Sequence, residues 1–158
     1  MPKNLSNICD TMWTVFIHKH LIALLRSLKN NITRMRKSCP EKLKGHPLVH
    51  LYVALVKVMG QVQADPTQDK YLLGNTLGKN HRGWRRVKKG LPQRYRLFFK
   101  FFSSTHEIFF VWLNDERTLR NKKAKSDCYA VFRRMLERGD VPSERKALIA
   151  DSVEQKES

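Results

Sequence analysis

The hydrophobic pattern changes period several times along the chain, and each change predicts an element. "MWTVFIH" (12–18), after a short polar lead-in, is aromatic and β-branched and reads as a strand. Leu21, Leu25, Leu28, Ile32 and Met35 then recur three and four residues apart, which places them on one face of a helix. "SCPEKLKGHP" interrupts the pattern, with Gly45 and Pro47 breaking the ladder. Leu48, Tyr52, Leu55, Met59 and Val62 restart it, so two amphipathic helices form an expected antiparallel hairpin that closes before Pro66. "LLGNTLGKNHRG" (72–83) is a loop. Three strands follow at 84–89, 94–102 and 107–114, joined by the short turns "GLPQ" and "SSTH", which favour antiparallel pairing. After the basic connector "DERTLRNKKAKSD" comes a last helix, capped by Ser126 or Asp127 and stopped by Gly139, with Val131, Phe132, Met135 and Leu136 as its apolar face. The expectation is one α+β domain over 1–158: an N-terminal strand, a two-helix hairpin, an antiparallel sheet and a C-terminal helix. Its ordered core is expected at about 12–140, with 141–158 a polar tail that has room for a short helix.

Strand alternation divides the side chains of the middle segment between two faces. Tyr95, Leu97, Phe99 and Phe101 face the core, so Arg94, Arg96, Phe98 and Lys100 are expected on an open face, with Trp84, Arg86 and Lys88 across the hairpin and Arg85 turned away. Ile108, Phe110, Trp112 and Asn114 oppose Phe109, Val111 and Leu113; both sets are largely apolar, so this strand is expected to be central.

Composition gives those cations a purpose. Thirty-one Lys and Arg against 14 Asp and Glu leave a net charge of +17, beyond what solubility requires, and point to a polyanionic partner. A hydrophobic content of 41% excludes a disordered chain, and no stretch approaches the roughly 20 apolar residues of a membrane span. Cys9, Cys39 and Cys128 form no CxxC pair and suggest a reducing compartment, here the cytoplasm. His18 and His20, and His46 and His50, lack Cys or carboxylate partners at metal-ligand spacing, so no metal is expected. The glycines of 72–83 lack P-loop spacing, and there is no nucleophile elbow. A cluster of arginines on a rigid strand suits phosphate, since each guanidinium offers a planar fork of donors. From the residues alone this describes nucleic-acid binding as readily as catalysis.

From residue 71 on, "TLGKN" (76–80), "WRRVK" (84–88), "RYRLFFKF" (94–101), "WLNDERTLR" (112–120) and "KSDCYAVFRRMLERG" (125–139) occur in the order and at the spacing of a known group. The chain resembles the YhaV toxins of the RelE/ParE superfamily; the first 70 residues share only an aromatic strand followed by two helices. The resemblance implies a RelE-like fold and the toxin of a type II toxin–antitoxin system. It implies a metal-independent endoribonuclease, without cofactor, that cleaves mRNA on the ribosome and blocks translation. It also implies a PrlF-type, AbrB-like antitoxin, in a complex that binds its own promoter DNA. Placed on that chemistry, Arg86, Lys88, Arg94, Arg96, Arg120, Asp127 and Tyr129 are the candidate catalytic residues, and Lys79, Arg82, Arg85, Lys100, Arg117, Lys122, Lys123 and Lys125 the candidate RNA contacts. A lysine among like charges can serve as base. Tyr129 reads as proton donor, stacking platform or core residue, and Asp127 as site carboxylate or helix cap. A non-catalytic nucleic-acid binder, or a gyrase poison of the ParE kind, is the alternative.

Overall fold

The computed structural model describes residues 12–156, so Cys9 and the polar lead-in to residue 11 lie outside the described residues. The elements are β1 (Thr14–His18), α1 (Lys19–Ser38), α2 (Pro47–Ala64), β2 (Arg85–Val87), β3 (Leu97–Phe102), β4 (Glu107–Leu113), α3 (Cys128–Glu137), α4 (Arg145–Ala150) and β5 (Ser152–Glu154), with short 3-10 turns between them. The strands form one sheet in the order β2-β3-β4-β1-β5. The fold is α+β, but the sheet is mixed rather than antiparallel: β1 runs parallel to β4, with Thr14 opposite Glu107 and Ile17 opposite Phe110. The β2–β3 and β3–β4 pairings are antiparallel, as expected from the turns; β1 reaches β4 from the far end of the chain, which local patterning cannot orient.

The caps explain why the helices begin where they do. The Nδ1 of His18 accepts from the His20 amide at 3.2 Å, and that of His46 accepts from Leu48 at 3.1 Å with Pro47 in the first turn. Both histidines are therefore helix caps. Among the described residues, no cluster of three or more His, Cys, Asp or Glu is arranged as a metal site. No helix there is long and apolar enough to cross a membrane.

Both faces of the sheet are covered. On one, α1 and α2 pack Leu21, Leu28, Leu55 and Val62 against Ile17, Leu97, Phe99, Ile108 and Phe110. On the other, α3 and α4 pack Phe132, Leu136 and Leu148 against Trp84, Phe98, Phe109 and Val111. The face expected to be open is thus a second core, and Phe98 is fully buried in it. The physical reason lies in the last helix, whose apolar stripe must cover a sheet face and finds one carrying Phe98, Phe109 and Trp84. A β-bulge shifts the β3–β4 register between Phe98 and Phe99. Because of it, Trp112 joins Phe109 beneath α3 and Leu113 joins Phe110 beneath α1 and α2, reversing the simple alternation for both.

The segment expected as a polar tail contributes α4 and β5. Leu148 is fully buried, and Arg145 makes a two-pronged ion pair with Glu107 of β4. This pairing holds the Glu107 carboxyl below its ordinary range. β5 completes the sheet by pairing antiparallel with β1. The connection between β2 and β3 is also longer than a tight hairpin, spanning 88–96. Gly90 is required in it: its φ is +95°, and a Cβ there would meet Val58 Cγ1 at 2.8 Å.

The β1–α1 junction buries His18 completely, with Nε2 3.4 Å from Asp151 Oδ2 and the His20 ring stacked at 4.9 Å. His20 sits in the helix and so does not share a strand face with His18. Burial holds the His18 imidazole below its ordinary 6.5, and the charge of His20 acts in the same direction; the Asp151 bond opposes both. The unfolded chain therefore binds the proton first. Stability from neutral His18 is fully present above the unfolded pKa and is lost as the pH falls through the folded one. The urea midpoint is expected to decline from about pH 7 to about pH 5, and His18→Gln to flatten that decline. An unchanged slope in the variant would refute this origin.

Candidate active site

Tyr129, in the first turn of α3, is the point on which three arginines converge. Its ring is packed edge-on against Phe98 at 5.5 Å and is almost wholly buried, which fixes the hydroxyl. Arg86, from edge strand β2, donates from Nε to that hydroxyl at 2.9 Å. Arg96, just before β3, donates from Nε at 3.3 Å. The Arg120 guanidinium lies over the face of the ring, 4.6 Å from its centroid. Core residue and site residue are therefore one: the ring belongs to the second core and the oxygen to the site.

Each arginine is braced on the side away from the tyrosine. Arg86 Nη1 donates to the carbonyl of Leu72 at 2.7 Å and to that of Lys70 at 3.3 Å. Arg96 is buried and donates from Nη1 to the Tyr95 carbonyl at 2.8 Å. Arg120 Nη1 donates to Asp127 Oδ2 at 2.8 Å. Among the described residues, the Nη2 groups of all three have no partner. Those donors are available to an anion.

Asp127 is the helix cap. It accepts from the Tyr129 amide at 3.2 Å, and also from the Asn121 amide at 2.7 Å and from Arg120. With its oxygens so engaged, it orients Arg120 and the start of the helix. Arg94 is brought to the same corner but does not touch the tyrosine. It adopts φ +72° and donates from Nε to the Arg120 carbonyl at 2.9 Å, while its own carbonyl accepts from the Arg120 amide at 3.0 Å. Arg94 and Arg96 precede β3 rather than lying in it, so the expected strand face does not apply to them.

Two depressions adjoin this corner. An open groove of about 630 Å³ is lined by Arg120, Lys122, Lys123, Lys125, Asp127 and Tyr129, together with Thr76, Arg133 and Arg134. A smaller one of about 260 Å³ is lined by Lys70, Arg86, Lys88 and Lys89. Lys88 thus lies beside Arg86 but beyond the end of β2.

The remaining expected contacts are dispersed. Arg85 lies over the Phe101 ring and donates to the carbonyls of Arg82 and Trp84. Arg82 donates to Asn75 Oδ1, and Lys79 is exposed in the 3-10 turn before it. Arg117 lines a cleft beside α1 with Leu24 and Tyr95. Lys100 stands over the Trp84 and Phe102 rings and donates to the Ser143 carbonyl, an anchor between α3 and α4. Burial, with the charge of Arg85 second, lowers its pKa. Covering of the face by α3 and α4 is what separates it from the arginines.

Arg133 and Arg134 line the groove without being among the expected residues. A signal existed for the first: Arg133 is four residues after Tyr129, hence on the same side of α3. Cys128, between the two site residues, is fully buried, and that burial pushes its thiol up to about 11. It stays protonated near neutrality and is not a nucleophile.

Guanidiniums gathered around one phenol, beside a lysine-lined groove, present donors suited to an anion rather than to an apolar ligand. Residues 15–153 match the model of a family described as a toxin with endonuclease activity, of a toxin–antitoxin system. The chain belongs to that family, the YhaV toxins, and is accordingly a toxin with endonuclease activity that has an antitoxin partner. It is 30% identical to the ribonuclease toxin YhaV of Escherichia coli K12 over 144 residues, covering 90% of this chain and 93% of the relative. The YhaV toxins of E. coli O157:H7 and of E. coli O6:H1 strain CFT073 match with the same identity and coverage. No solved structure matches significantly.

Proposed function

We propose that the chain is a metal-independent endoribonuclease that cuts mRNA by internal transfer. The observation that carries this reading is the convergence of Arg86 and Arg96 on the Tyr129 hydroxyl, with Arg120 stacked on the same ring. Both acceptor positions of the phenolic oxygen are taken by guanidiniums, so its own proton is the one left to give. In the proposed reaction the 2′-oxygen attacks the adjacent phosphorus in line, forming the 2′,3′-cyclic phosphate and breaking the bond to the 5′-oxygen. That oxygen takes the Tyr129 proton, and the phenolate left behind is balanced by the two arginines until solvent returns a proton. The free Nη2 donors of Arg86, Arg96 and Arg120 hold the phosphorane oxygens. Lys88, beside Arg86, is our candidate to take the 2′-hydroxyl proton. Lys122, Lys123 and Lys125, with Arg133, line the groove along which the strand runs.

Around this chemistry we place the rest of the reading. The fold is RelE-like. The substrate is mRNA on the ribosome, in the cytoplasm. The antitoxin is PrlF-type and AbrB-like, neutralises the cationic corner or displaces α3, and forms with the toxin a complex that binds its promoter DNA. The test uses purified protein and a synthetic RNA in the presence of EDTA. Cleavage giving a cyclic or 3′-phosphate and a 5′-hydroxyl, abolished by 2′-deoxy substitution at the cut, is the expected result. Cleavage that EDTA stops, or intact RNA with trapped gyrase on induction, would overturn it.

A further inference from the structure

Asn114 lies immediately past β4, is essentially fully buried, and, among the described residues, its side chain makes no hydrogen bond to Tyr129 or to the side chains of the three arginines around it. All its polar atoms are spent on backbone. Its Oδ1 accepts from the Arg96 amide at 2.7 Å. Its Nδ2 donates to the Arg94 carbonyl at 3.0 Å and to the Thr118 carbonyl at 2.9 Å. One side chain therefore joins segment 94–96, which supplies Arg96, to segment 114–120, which supplies Arg120. Neither segment is held by regular structure at that point. Arg94 is in the left-handed region at φ +72°, a conformation that a residue with a Cβ keeps only when its surroundings impose it. The other segment is a single 3-10 turn, closed by Asp115 and Thr118 capping one another.

We infer that Asn114 is a positioning residue: it sets the separation of Arg96 and Arg120 on either side of Tyr129, and so tunes the rate of the reaction rather than the binding of RNA. The inference rests on the catalytic reading above. An amide is the one side chain that supplies an acceptor and two donors in a fixed plane. Aspartate keeps the acceptor toward Arg96 and loses both donors, and alanine loses all three. A misplacement of about 1 Å in a catalytic arrangement can slow it about a hundredfold. RNA binding, shared with the exposed lysines of the groove, should be far less sensitive.

The test compares Asn114→Ala and Asn114→Asp with wild type. Three quantities are measured on folded protein: the single-turnover rate at saturating RNA, affinity for RNA made uncleavable by a 2′-deoxy nucleotide, and the Nε–H resonances of Arg96 and Arg120. The expected result is a rate lower by about a hundredfold in both variants, unchanged affinity, and displaced resonances for both arginines. If Asn114→Ala does not fold, Asn114→Asp, which retains one of the three bonds, carries the same test. Folded variants that cleave at the wild-type rate would overturn the inference. So would variants whose rate and affinity fall together in proportion to the folded fraction. Arg96→Ala and Arg120→Ala are run alongside. If these cleave normally the catalytic reading fails, and if they are slow while the Asn114 variants are fast only the positioning role fails.

Discussion

Tyr129→Phe is expected to slow RNA cleavage by about 10²–10⁴-fold, the range contributed by a positioned proton donor, while leaving RNA binding in place. The substitution removes one oxygen and keeps the ring that packs against Phe98 at 5.5 Å and under Arg120 at 4.6 Å. The platform for α3 is therefore retained. Arg86 keeps its bonds to the Leu72 and Lys70 carbonyls and Arg96 its bond to Tyr95, so both cations stay in place. On the proposed mechanism, what disappears is the proton for the departing 5′-oxygen. A substrate whose leaving group needs no proton, such as one with a 5′-thio linkage at the cut, should recover most of the rate in the variant. Single-turnover cleavage of the two substrates by the two proteins makes the comparison. A variant that cuts the natural RNA at the wild-type rate would remove Tyr129 from the chemistry. Failure of the thio linkage to rescue a slow variant would make the hydroxyl an organiser of the arginines.

Phe132→Ala is expected to cost about 3–5 kcal/mol of stability, the range for truncating a large buried aromatic. The ring is fully buried, stacked 4.4 Å from Phe98 and 5.8 Å from Trp112, with Trp84 edge-on at 5.1 Å. These four rings form the contact between α3 and the sheet, so little can collapse into the space left by one of them. Against a domain stability of about 5–15 kcal/mol the loss is a large fraction of the whole. Function should suffer with it, because α3 carries Tyr129 in its first turn and is capped by Asp127, while the arginines come from the sheet and its loops. Urea unfolding followed by tryptophan fluorescence measures the loss. A change below about 1 kcal/mol would mean that α3 is not held by this cluster.

The two predictions concern different parts of the same helix, and its sequence showed one of them plainly. The apolar spacing of Val131, Phe132, Met135 and Leu136 required α3 to bury a stripe, and Ser126 or Asp127 marked its start. The destination of that stripe was not legible. Alternation in "RYRLFFKF" separates two faces but does not say what covers either, so the face with Phe98 read as open until α3 and α4 were found on it. That covering separated Lys100 from Arg86 and Arg96. Arg117 was misplaced for a related reason: the turn at Asp115–Thr118 redirects the chain, and Arg117 ends beside Leu24.

By itself the sequence determined the local elements and the chemistry available to them. The periods of its apolar residues specify two amphipathic helices, four of the strands and α3, because those spacings bury one face only in one kind of backbone. Its excess of arginine near "WRRVK", "RYRLFF" and "TLR" specified an anion site. Tertiary structure alone decided which of these cations meet. Arg86, Arg96 and Arg120 are contributed by three segments and meet at Tyr129 of a fourth, in a framework that includes a parallel β1–β4 pairing, a bulge between Phe98 and Phe99, and the Asn114–Arg96 bond. Each of these is a long-range contact that stabilises only after the chain has closed on itself, so no local pattern encodes it.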